Sequence, residues 1–567
     1  MTGGMSLHAQ AAEAVTVGIA TRAVHRSARF CGVRLSREAT EASEARADGS
    51  GATVPGAPLW LASLSVCTAL VGLASGSARA DEIGYQELSA RLGSAVPTGA
   101  GVPVCQVEAN TEGGLTFYGP DQTRSEFVGK TFTAMSGTMS ASWHASTVGT
   151  SFYGVGTSIA PGITSIFNYE ANNWIGNFLR VNQSSSVPST PPSGSRVMNH
   201  SWIGSAGAAN DNQALRRLDF QANRDGMLHA TGLNNNAGST LLPLLSCSYN
   251  GIAVGRTDGQ HSWGLTPTGT DGPGRMKPDI VAPGAATSWA TPVVAAAAAL
   301  LQQVASQPPL SANANALDPT VWKATLMAGA FHQEGWSNAP TASGDSRGEA
   351  VRPLDPVYGA GVVNVDRAHR ILTGGEQDGS LAVPEQATLR PAGWDLAQIG
   401  PGTDVHWRLS LREPAPELSI VATWRRLPST NFTLAPSAPT IRLRLFRVEG
   451  TTLVPLIGDQ GAAYYASGNV ASTSAPDNVQ HIYVRGLVAG EYVIQASRLG
   501  SSGLPAPTGV AWFRPAIAAD ANWDGVVDGL DLSVVLSAWG TSVVAADLNS
   551  DGTVDGLDLA VILANWS

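Results

Sequence analysis

Residues 277–305 constrain the fold more than any other stretch of this 567-residue chain. A short apolar run ends at Pro283-Gly284, and an apolar run with five successive alanines, residues 295–299, then predicts a helix. Ser288 is therefore expected where a loop turns into that helix. Two roles fit this position: a serine that caps the helix, or a nucleophile at the positive end of the helix dipole, where free amides stabilise an oxyanion.

The residues around Ser288 resemble the nucleophile region of the subtilisin-like serine peptidases. KPDIVAPG (277–284) and ATSWATPVVA (286–295) are similar to the family patterns PDIxAPG and GTSxATPxVAG. The resemblance implies that Ser288 is the nucleophile of an acyl-transfer reaction. Two departures stand out: Ala286 replaces a glycine of the family, and the loop between Gly284 and the serine is nearly absent.

The triad acid and the general base follow from two earlier segments that resemble the same family. TGAGVPVCQVEAN (98–110) is similar to the family's first strand and places the acid on Glu108, where the family has aspartate. SWHASTVGTSFYG (142–154) is similar to the family's histidine helix and places the base on His144. The resemblance implies that Glu108 orients the His144 imidazole, which takes the proton of Ser288.

Substrate binding and oxyanion stabilisation are implied by two further segments. RVMNHSWIG (196–204) resembles the strand that pairs with an extended substrate, with Ser201, Trp202 and Gly204 as the binding residues. MLHATGLNNNAG (227–238) resembles the segment that supplies the oxyanion-hole asparagine. The register of this segment is ambiguous, and we choose Asn234 with Asn235 as the alternative.

Residues 58–80 resemble a signal peptide. They combine an apolar run with the A-x-A pattern Ala78-Arg79-Ala80, so export with cleavage after Ala80 is expected, and a short membrane anchor is the alternative. No other long apolar stretch predicts a membrane span after cleavage. Of the four cysteines, Cys105 and Cys247 would remain, and their pairing in an oxidising compartment is left open.

Residues 376–515 show a different pattern. Short apolar runs with alternating polarity, such as VHWRLSL and IRLRLFRV, are separated by turn residues. This pattern predicts an antiparallel β-sandwich without catalytic residues of its own.

The last fifty residues contain a duplicated acidic loop. Oxygen ligands recur at loop positions 1, 3, 5, 9 and 12, and a backbone carbonyl is expected at position 7, which is the donor set that Ca²⁺ requires. The resemblance to type I dockerin modules comes from aspartate at position 12, and such modules bind cohesin domains. The two predicted calcium sites consist of Asp520, Asn522, Asp524, Val526, Asp528 and Asp531, and of Asp547, Asn549, Asp551, Thr553, Asp555 and Asp558.

The sequence thus predicts a multidomain protein: a leader and signal peptide (1–80), an α/β subtilisin-like domain with a parallel sheet (81–375), an antiparallel β-sandwich (376–515) and a small α-helical dockerin-like domain with paired calcium loops (516–567). The net charge of -10 argues against a nucleic-acid partner. The expected function is a secreted or cell-surface serine endopeptidase that cleaves polypeptides and binds a cohesin-like or surface partner. Two alternatives are a degenerate subtilisin-like protein that only binds polypeptide, and a secreted esterase.

Overall fold

The computed structural model describes most of the chain beyond the predicted signal peptide. The predicted leader and signal peptide, with Cys31 and Cys67, and the predicted ligand Asp551 lie outside the described residues. The described residues are 82–183, 186–432, 439–515, 519–541, 543, 546–549 and 553–566.

A seven-stranded parallel sheet forms the centre of the N-terminal half of the described chain. The strands of this half are β1 (Val104–Glu108), β2 (Phe117–Gly119), β3 (Thr131–Ala134), β4 (Ser140–Ala141), β5 (Ser165–Glu170), β6 (Val197–His200), β7 (Leu228–Gly232), β8 (Ile252–Arg256), β9 (Gly264–Leu265), β10 (Met276–Lys277) and β11 (Ile280–Ala282). The main sheet has the order β11-β8-β7-β6-β1-β5-β3, and all its pairings are parallel. Its central strands are buried throughout, as in sheets covered by helices on both faces.

Eight longer helices occur in the described chain, and the last two belong to its C-terminal region. A three-residue helical turn, Ala171–Asn173, continues into a π-helix, Trp174–Phe178. The longer helices are α1 (Tyr85–Leu92), α2 (Trp143–Tyr153), α3 (Ala208–Asp225), α4 (Thr287–Ala305), α5 (Pro319–Ala328), α6 (Val365–Thr373), α7 (Gly529–Ser537) and α8 (Gly556–Ala564).

Helix α4 is the core helix of the parallel-sheet domain. Its five consecutive alanines are all buried, because small side chains let the helix lie close to the sheet. Within the described residues it alone is long and apolar enough to cross a membrane, but 78% of its apolar window is buried inside the protein. The helix is therefore accounted for by the core.

Two antiparallel sheets follow. Their strands are β12 (Glu349–Ala350), β13 (Ala392–Ile399), β14 (Asp404–Leu411), β15 (Ala415–Trp424), β16 (Ile441–Glu449), β17 (Thr452–Pro455), β18 (Ser467–Gly468), β19 (Ala471–Ser472), β20 (Val479–Leu487), β21 (Gly490–Arg498) and β22 (Ala506–Phe513). One sheet has the order β12-β19-β16-β21-β14, with β17 beside β16, and the other has the order β13-β22-β15-β20-β18. A single apolar cluster contains side chains from both sheets, among them Trp407 and Trp424.

The parallel-sheet domain and the antiparallel sheets share buried contacts. Helix α5 packs on β15 and β22. A side chain at Gly509 of β22 would lie 2.7 Å from the carbonyl oxygen of Thr320, so only glycine permits this close approach. Strand β12 comes from residues placed by sequence in the peptidase domain, yet it pairs with β19 of an antiparallel sheet. The two parts are therefore packed as one body at this junction.

The two cysteines within the described residues do not pair. Cys105 and Cys247 are both free and buried. Burial raises the pKa of the Cys105 thiol to about 12, so this sulfur stays protonated and unreactive at neutral pH. The pairing that the sequence left open is absent.

Candidate functional site

The predicted site residues lie at the carboxyl edge of the parallel sheet. Strand β1 ends at Glu108, β6 ends one residue before Ser201, and β7 ends shortly before Asn235. Strand β11 leads within a few residues into helix α4 and Ser288. Because the carboxyl ends of parallel strands lie along one edge of a sheet, these side chains converge there.

Glu108 and His144 form a hydrogen-bonded pair. His144 Nδ1 lies 2.7 Å from Glu108 Oε2, and the Glu108 side chain is fully buried, whereas that of His144 is 13% exposed. A proton on Nδ1 is held by the carboxylate, which leaves Nε2 as the acceptor nitrogen. His144 is the second residue of α2, and this helix start is fixed by the Ser142 hydroxyl, which accepts from the amide of Ala145. The pair has the geometry of an oriented general base.

Ser288 is not the cap of its helix. The N-cap residue of α4 is Ala286, which makes no side-chain cap, and Ser288 is the second helical residue. Its hydroxyl donates to the carbonyl oxygen of Ser201 over 3.3 Å, and Ser201 Oγ donates to the Ser288 carbonyl oxygen over 3.0 Å. Among the described hydrogen bonds, none joins Ser288 to His144. The capping role considered for Ser288 is thus wrong, because its hydroxyl bonds a carbonyl oxygen outside the helix and caps no amide of α4.

Two tryptophans place the His144 imidazole beside the first turn of α4. The ring centroids of His144 and Trp289 are 5.1 Å apart, and those of Trp143 and Trp289 are 6.2 Å apart. Trp143 is 51% exposed. Sequence reasoning missed both rings, although each adjoins a selected residue in the chain. They form an aromatic wall next to the Glu108–His144 pair.

The two candidate oxyanion asparagines point to different places. Asn234 donates through Nδ2 to the carbonyl oxygen of Thr240. Asn235 accepts through Oδ1 from the amide of Thr287, at 2.9 Å, and from the Thr287 hydroxyl. No described hydrogen bond uses Asn235 Nδ2 or the Ser288 amide. Asn235 is thus bonded to Thr287, the residue before Ser288.

The three predicted substrate-binding residues differ in their availability. Ser201 contacts Ser288 directly. The Trp202 side chain is buried. The amide and the carbonyl of Gly204 both pair with Leu244 of the same chain, at 3.3 and 3.1 Å. Gly204 therefore does not offer its backbone to a substrate strand, because the segment after Asn235 already occupies it.

Two buried histidines, His200 and His229, bond each other and have a structural role. His200 Nε2 lies 3.0 Å from His229 Nδ1, and His229 Nε2 lies 2.6 Å from Gln221 Oε1. Burial lowers the pKa of both rings, that of His229 to about 3, so both stay neutral in the core.

The first acidic loop of the C-terminal region brings three carboxylates together. Oxygens of Asp520, Asp524 and Asp531 lie within 4.8 Å of one another. Burial, with Asp531 and Asp524 nearby, raises the pKa of Asp520 to about 6. Three converging carboxylates are a donor set that fits a hard cation such as Ca²⁺. Asp528 is used differently, since its side chain accepts from the Leu530 amide and caps α7 in a capping box with Asp531.

The second acidic loop repeats the helix start of the first. Asp555 caps α8 in a capping box with Asp558, as Asp528 does with Asp531. Asp558 Oδ1 accepts from the amides of Leu548 and Asn549. The described part of the loop therefore has the hydrogen-bonding frame of the first loop.

Comparison with known proteins gives two family matches. Residues 133–361 match the model of the Subtilase family, and residues 518–565 match the model of the Dockerin type I domain. The first match contains His144, Asn235 and Ser288 and begins after Glu108. No curated protein matches the chain.

Several solved structures resemble the chain at low identity. MycP1 with the N-terminal propeptide removed is 17% identical, with 53% of this chain and 98% of that chain covered and a TM-score of 0.30. A protease from Pseudoalteromonas arctica PAMC 21717 is 13% identical, with 50% and 94% covered and a TM-score of 0.30. Fervidolysin from Fervidobacterium pennivorans, described as a keratinolytic enzyme related to subtilisin, is 14% identical, with 72% and 59% covered and a TM-score of 0.29.

The two family models, and not these structures, relate the chain to known families. Those models agree with the two families that the motifs around Ser288 and the duplicated loops resemble. Residues 133–361 are thus similar to the subtilase family, and residues 518–565 are similar to the dockerin type I domain.

Proposed function

We propose that this protein is a secreted serine endopeptidase that hydrolyses peptide bonds through an acyl-enzyme. His144 takes the proton of Ser288, whose oxygen attacks the peptide carbonyl, and Glu108 holds the imidazole in the required tautomer. His144 then protonates the leaving amine, and water hydrolyses the ester. The observation that carries the proposal is the 2.7 Å bond between His144 Nδ1 and the buried Glu108 carboxylate, next to the helix start that carries Ser288.

In this proposal, Asn235 and the Ser288 amide stabilise the oxyanion. The bond from the Thr287 amide to Asn235 Oδ1 restrains the Asn235 side chain, so that its Nδ2 group can serve as the oxyanion donor. Asn234, our choice from the sequence, is less suitable because its Nδ2 donates to Thr240. The substrate chain would pair along Ser201 and Trp202, without Gly204.

Turnover of an internally quenched, unstructured polypeptide tests the proposal. The wild type should cleave internal peptide bonds, while Ser288→Ala and His144→Ala should lose at least about a thousandfold in kcat. A wild-type rate equal to that of Ser288→Ala would refute the peptidase. A preference for short esters over peptides would instead favour the esterase.

The alternative is a degenerate subtilase that binds polypeptide without cleaving it. One observation favours it: the Ser288 hydroxyl donates to the Ser201 carbonyl oxygen and not to His144 within the described hydrogen bonds. Equal binding of an unstructured polypeptide by the wild type and by Ser288→Ala, with no cleavage by either, would support this alternative.

The domain boundaries at residues 80, 375 and 515 and the signal peptide belong to the same proposal. The two antiparallel sheets act as a β-sandwich that supports the peptidase domain, since α5 packs on β15 and β22. Export would place the protein outside the cell or on its surface.

The dockerin domain serves in this proposal as a calcium-dependent anchor. Ca²⁺ would be held in two loops, the first by Asp520, Asn522, Asp524, the carbonyl of Val526 and Asp531, with Asp528 at the helix start. Exposed leucines on α7 and α8, among them Leu530 and Leu557, support binding to a cohesin-like partner. Binding of a cohesin domain that disappears on chelation of calcium would test this role.

A further inference from the structure

Gln106 lies two residues before Glu108 on β1, and both side chains are fully buried. Residues two apart in a strand point to the same face, so the amide and the carboxylate are neighbours. Gln106 Nε2 donates to Glu108 Oε1 over 2.8 Å and to the carbonyl oxygen of Ala145 over 2.9 Å. One amide group therefore joins the Glu108 carboxylate to the first turn of α2, immediately after His144.

The orientation of this amide is determined by its surroundings. Glu108 Oε1 and the Ala145 carbonyl are both acceptors, so the group between them must be the NH₂ end of Gln106. At the other end, the hydroxyl of the buried Tyr153 donates to Gln106 Oε1. Burial, with Glu108 nearby, raises the pKa of Tyr153 well above its usual value, so the hydroxyl keeps its proton and remains a donor. The hydrogen bonds therefore run in one direction: Tyr153 donates to Gln106, and Gln106 donates to Glu108.

We propose that Gln106 is a positioning residue that holds the Glu108 carboxylate for His144, an inference that rests on the proposed function. With Oε1 bound by Gln106, Oε2 alone faces His144 Nδ1. The restraint matters because a glutamate has one more rotatable bond than the aspartate of the related peptidases, and a displacement near 1 Å costs on the order of a hundredfold in rate. Gln106 thus compensates for the longer acid at this position.

The same amide also fixes the distance between the two elements that carry the pair. Glu108 ends β1, and Ala145 follows His144 in α2, so a bond from Gln106 to each restrains both partners of the 2.7 Å bond. Buried polar networks of this kind are rigid when every member is satisfied. Removal of Gln106 should therefore loosen both the carboxylate and the imidazole.

The test compares Gln106→Met with Gln302→Met. Gln302 is a buried glutamine near the end of α4 whose Nε2 donates to the Gly194 carbonyl oxygen, so the control removes a similar amide far from the pair. We expect Gln106→Met to lower kcat by about 10- to 100-fold with little change in KM, and Gln302→Met to leave both within about threefold. Tyr153→Phe, a milder change to the same network, should fall between them and serves if Gln106→Met does not fold.

A spectroscopic measurement separates positioning from general destabilisation. In protein with ¹⁵N-labelled histidine, the His144 Nδ1 proton, assigned by its loss in His144→Gln, should be visible in the wild type and in Gln302→Met. It should be lost or shifted upfield in Gln106→Met. An unchanged resonance together with an unchanged kcat would overturn the inference.

The two proposals fail in different ways. A wild type without turnover whose Nδ1 resonance still depends on Gln106 would refute the peptidase and keep the positioning role. An active wild type whose kcat responds equally to Gln106→Met and to Gln302→Met would keep the peptidase and refute the positioning role of Gln106.

Discussion

Replacement of Asn235 by alanine tests the oxyanion hole, because the two neighbouring asparagines make opposite contacts. Asn235→Ala removes the Nδ2 donor that we place beside the Ser288 amide, and it also removes the acceptor of the Thr287 amide. Loss of an oxyanion donor in a subtilisin costs about 2.7–4 kcal/mol, or about 10²–10³ in kcat, and we adopt that magnitude. KM should change little, because the interaction forms in the transition state.

The second lost contact has its own measurable effect. The Thr287 amide at the start of α4 would lose its 2.9 Å bond, which costs about 1 kcal/mol of stability for a helix cap. Asn235→Asp keeps an oxygen for this amide but has no donor, so it should retain more stability than Asn235→Ala and still lose activity. Denaturant unfolding curves and steady-state kinetics on one peptide substrate measure the two effects separately.

Asn234→Ala is the matched control. It removes only the 3.3 Å bond from Nδ2 to Thr240, at a residue of the same type and adjacent in the chain. We expect kcat within about threefold of the wild type, as for a surface substitution. The reasoning would be refuted if Asn234→Ala lost more activity than Asn235→Ala, or if neither lost any.

Three further predictions follow from the described contacts. Glu108→Ala should lower kcat by about 10⁴-fold, a magnitude taken from other triad peptidases, and steady-state kinetics showing less than a tenfold loss would contradict it. The pKa of His229 falls from 6.5 to about 3 on burial, so the unfolded chain binds the proton more readily, and stability that is full above pH 6.5 is lost as the pH falls. At pH 5 His229 alone should account for about 2 kcal/mol of lost stability, so denaturant unfolding of His229→Gln should lose about 2 kcal/mol less between pH 7 and pH 5 than the wild type; equal pH dependence in both proteins would be inconsistent with this. Calorimetric titration with Ca²⁺ should show two sites, one absent in Asp520→Ala and the other in Asp547→Ala, whereas no binding heat would rule out the calcium loops.

The parallel-sheet domain could be predicted from sequence because its motifs are local. The break at Pro283-Gly284 and the alanine run after it determine a strand end and a buried helix, and α4 begins at Thr287, so Ser288 lies at the expected change from loop to helix. The antiparallel sheets were likewise visible in the alternating apolar runs. Strand β12 was not, since two residues that pair far away in the chain leave no periodic signal.

Contacts over long distances limited the prediction of the site. Three consecutive asparagines have no internal register, so only the bond between Asn235 and Thr287 distinguishes them. The pairing of Gly204 with Leu244 depends on the path of a loop, which sequence patterns do not determine. Gln106 could have been found, because its two-residue spacing from Glu108 puts a polar side chain on the same face of a buried strand.

Covalent labelling of Ser288 tests the central claim most directly. A fluorophosphonate should form one adduct on the wild type, located by mass spectrometry to the peptide that contains Ser288, and the labelling rate should fall at least about a thousandfold in His144→Ala. Equal labelling rates in the wild type and in His144→Ala, or an adduct that persists in Ser288→Ala, would contradict a nucleophile activated by the Glu108–His144 pair.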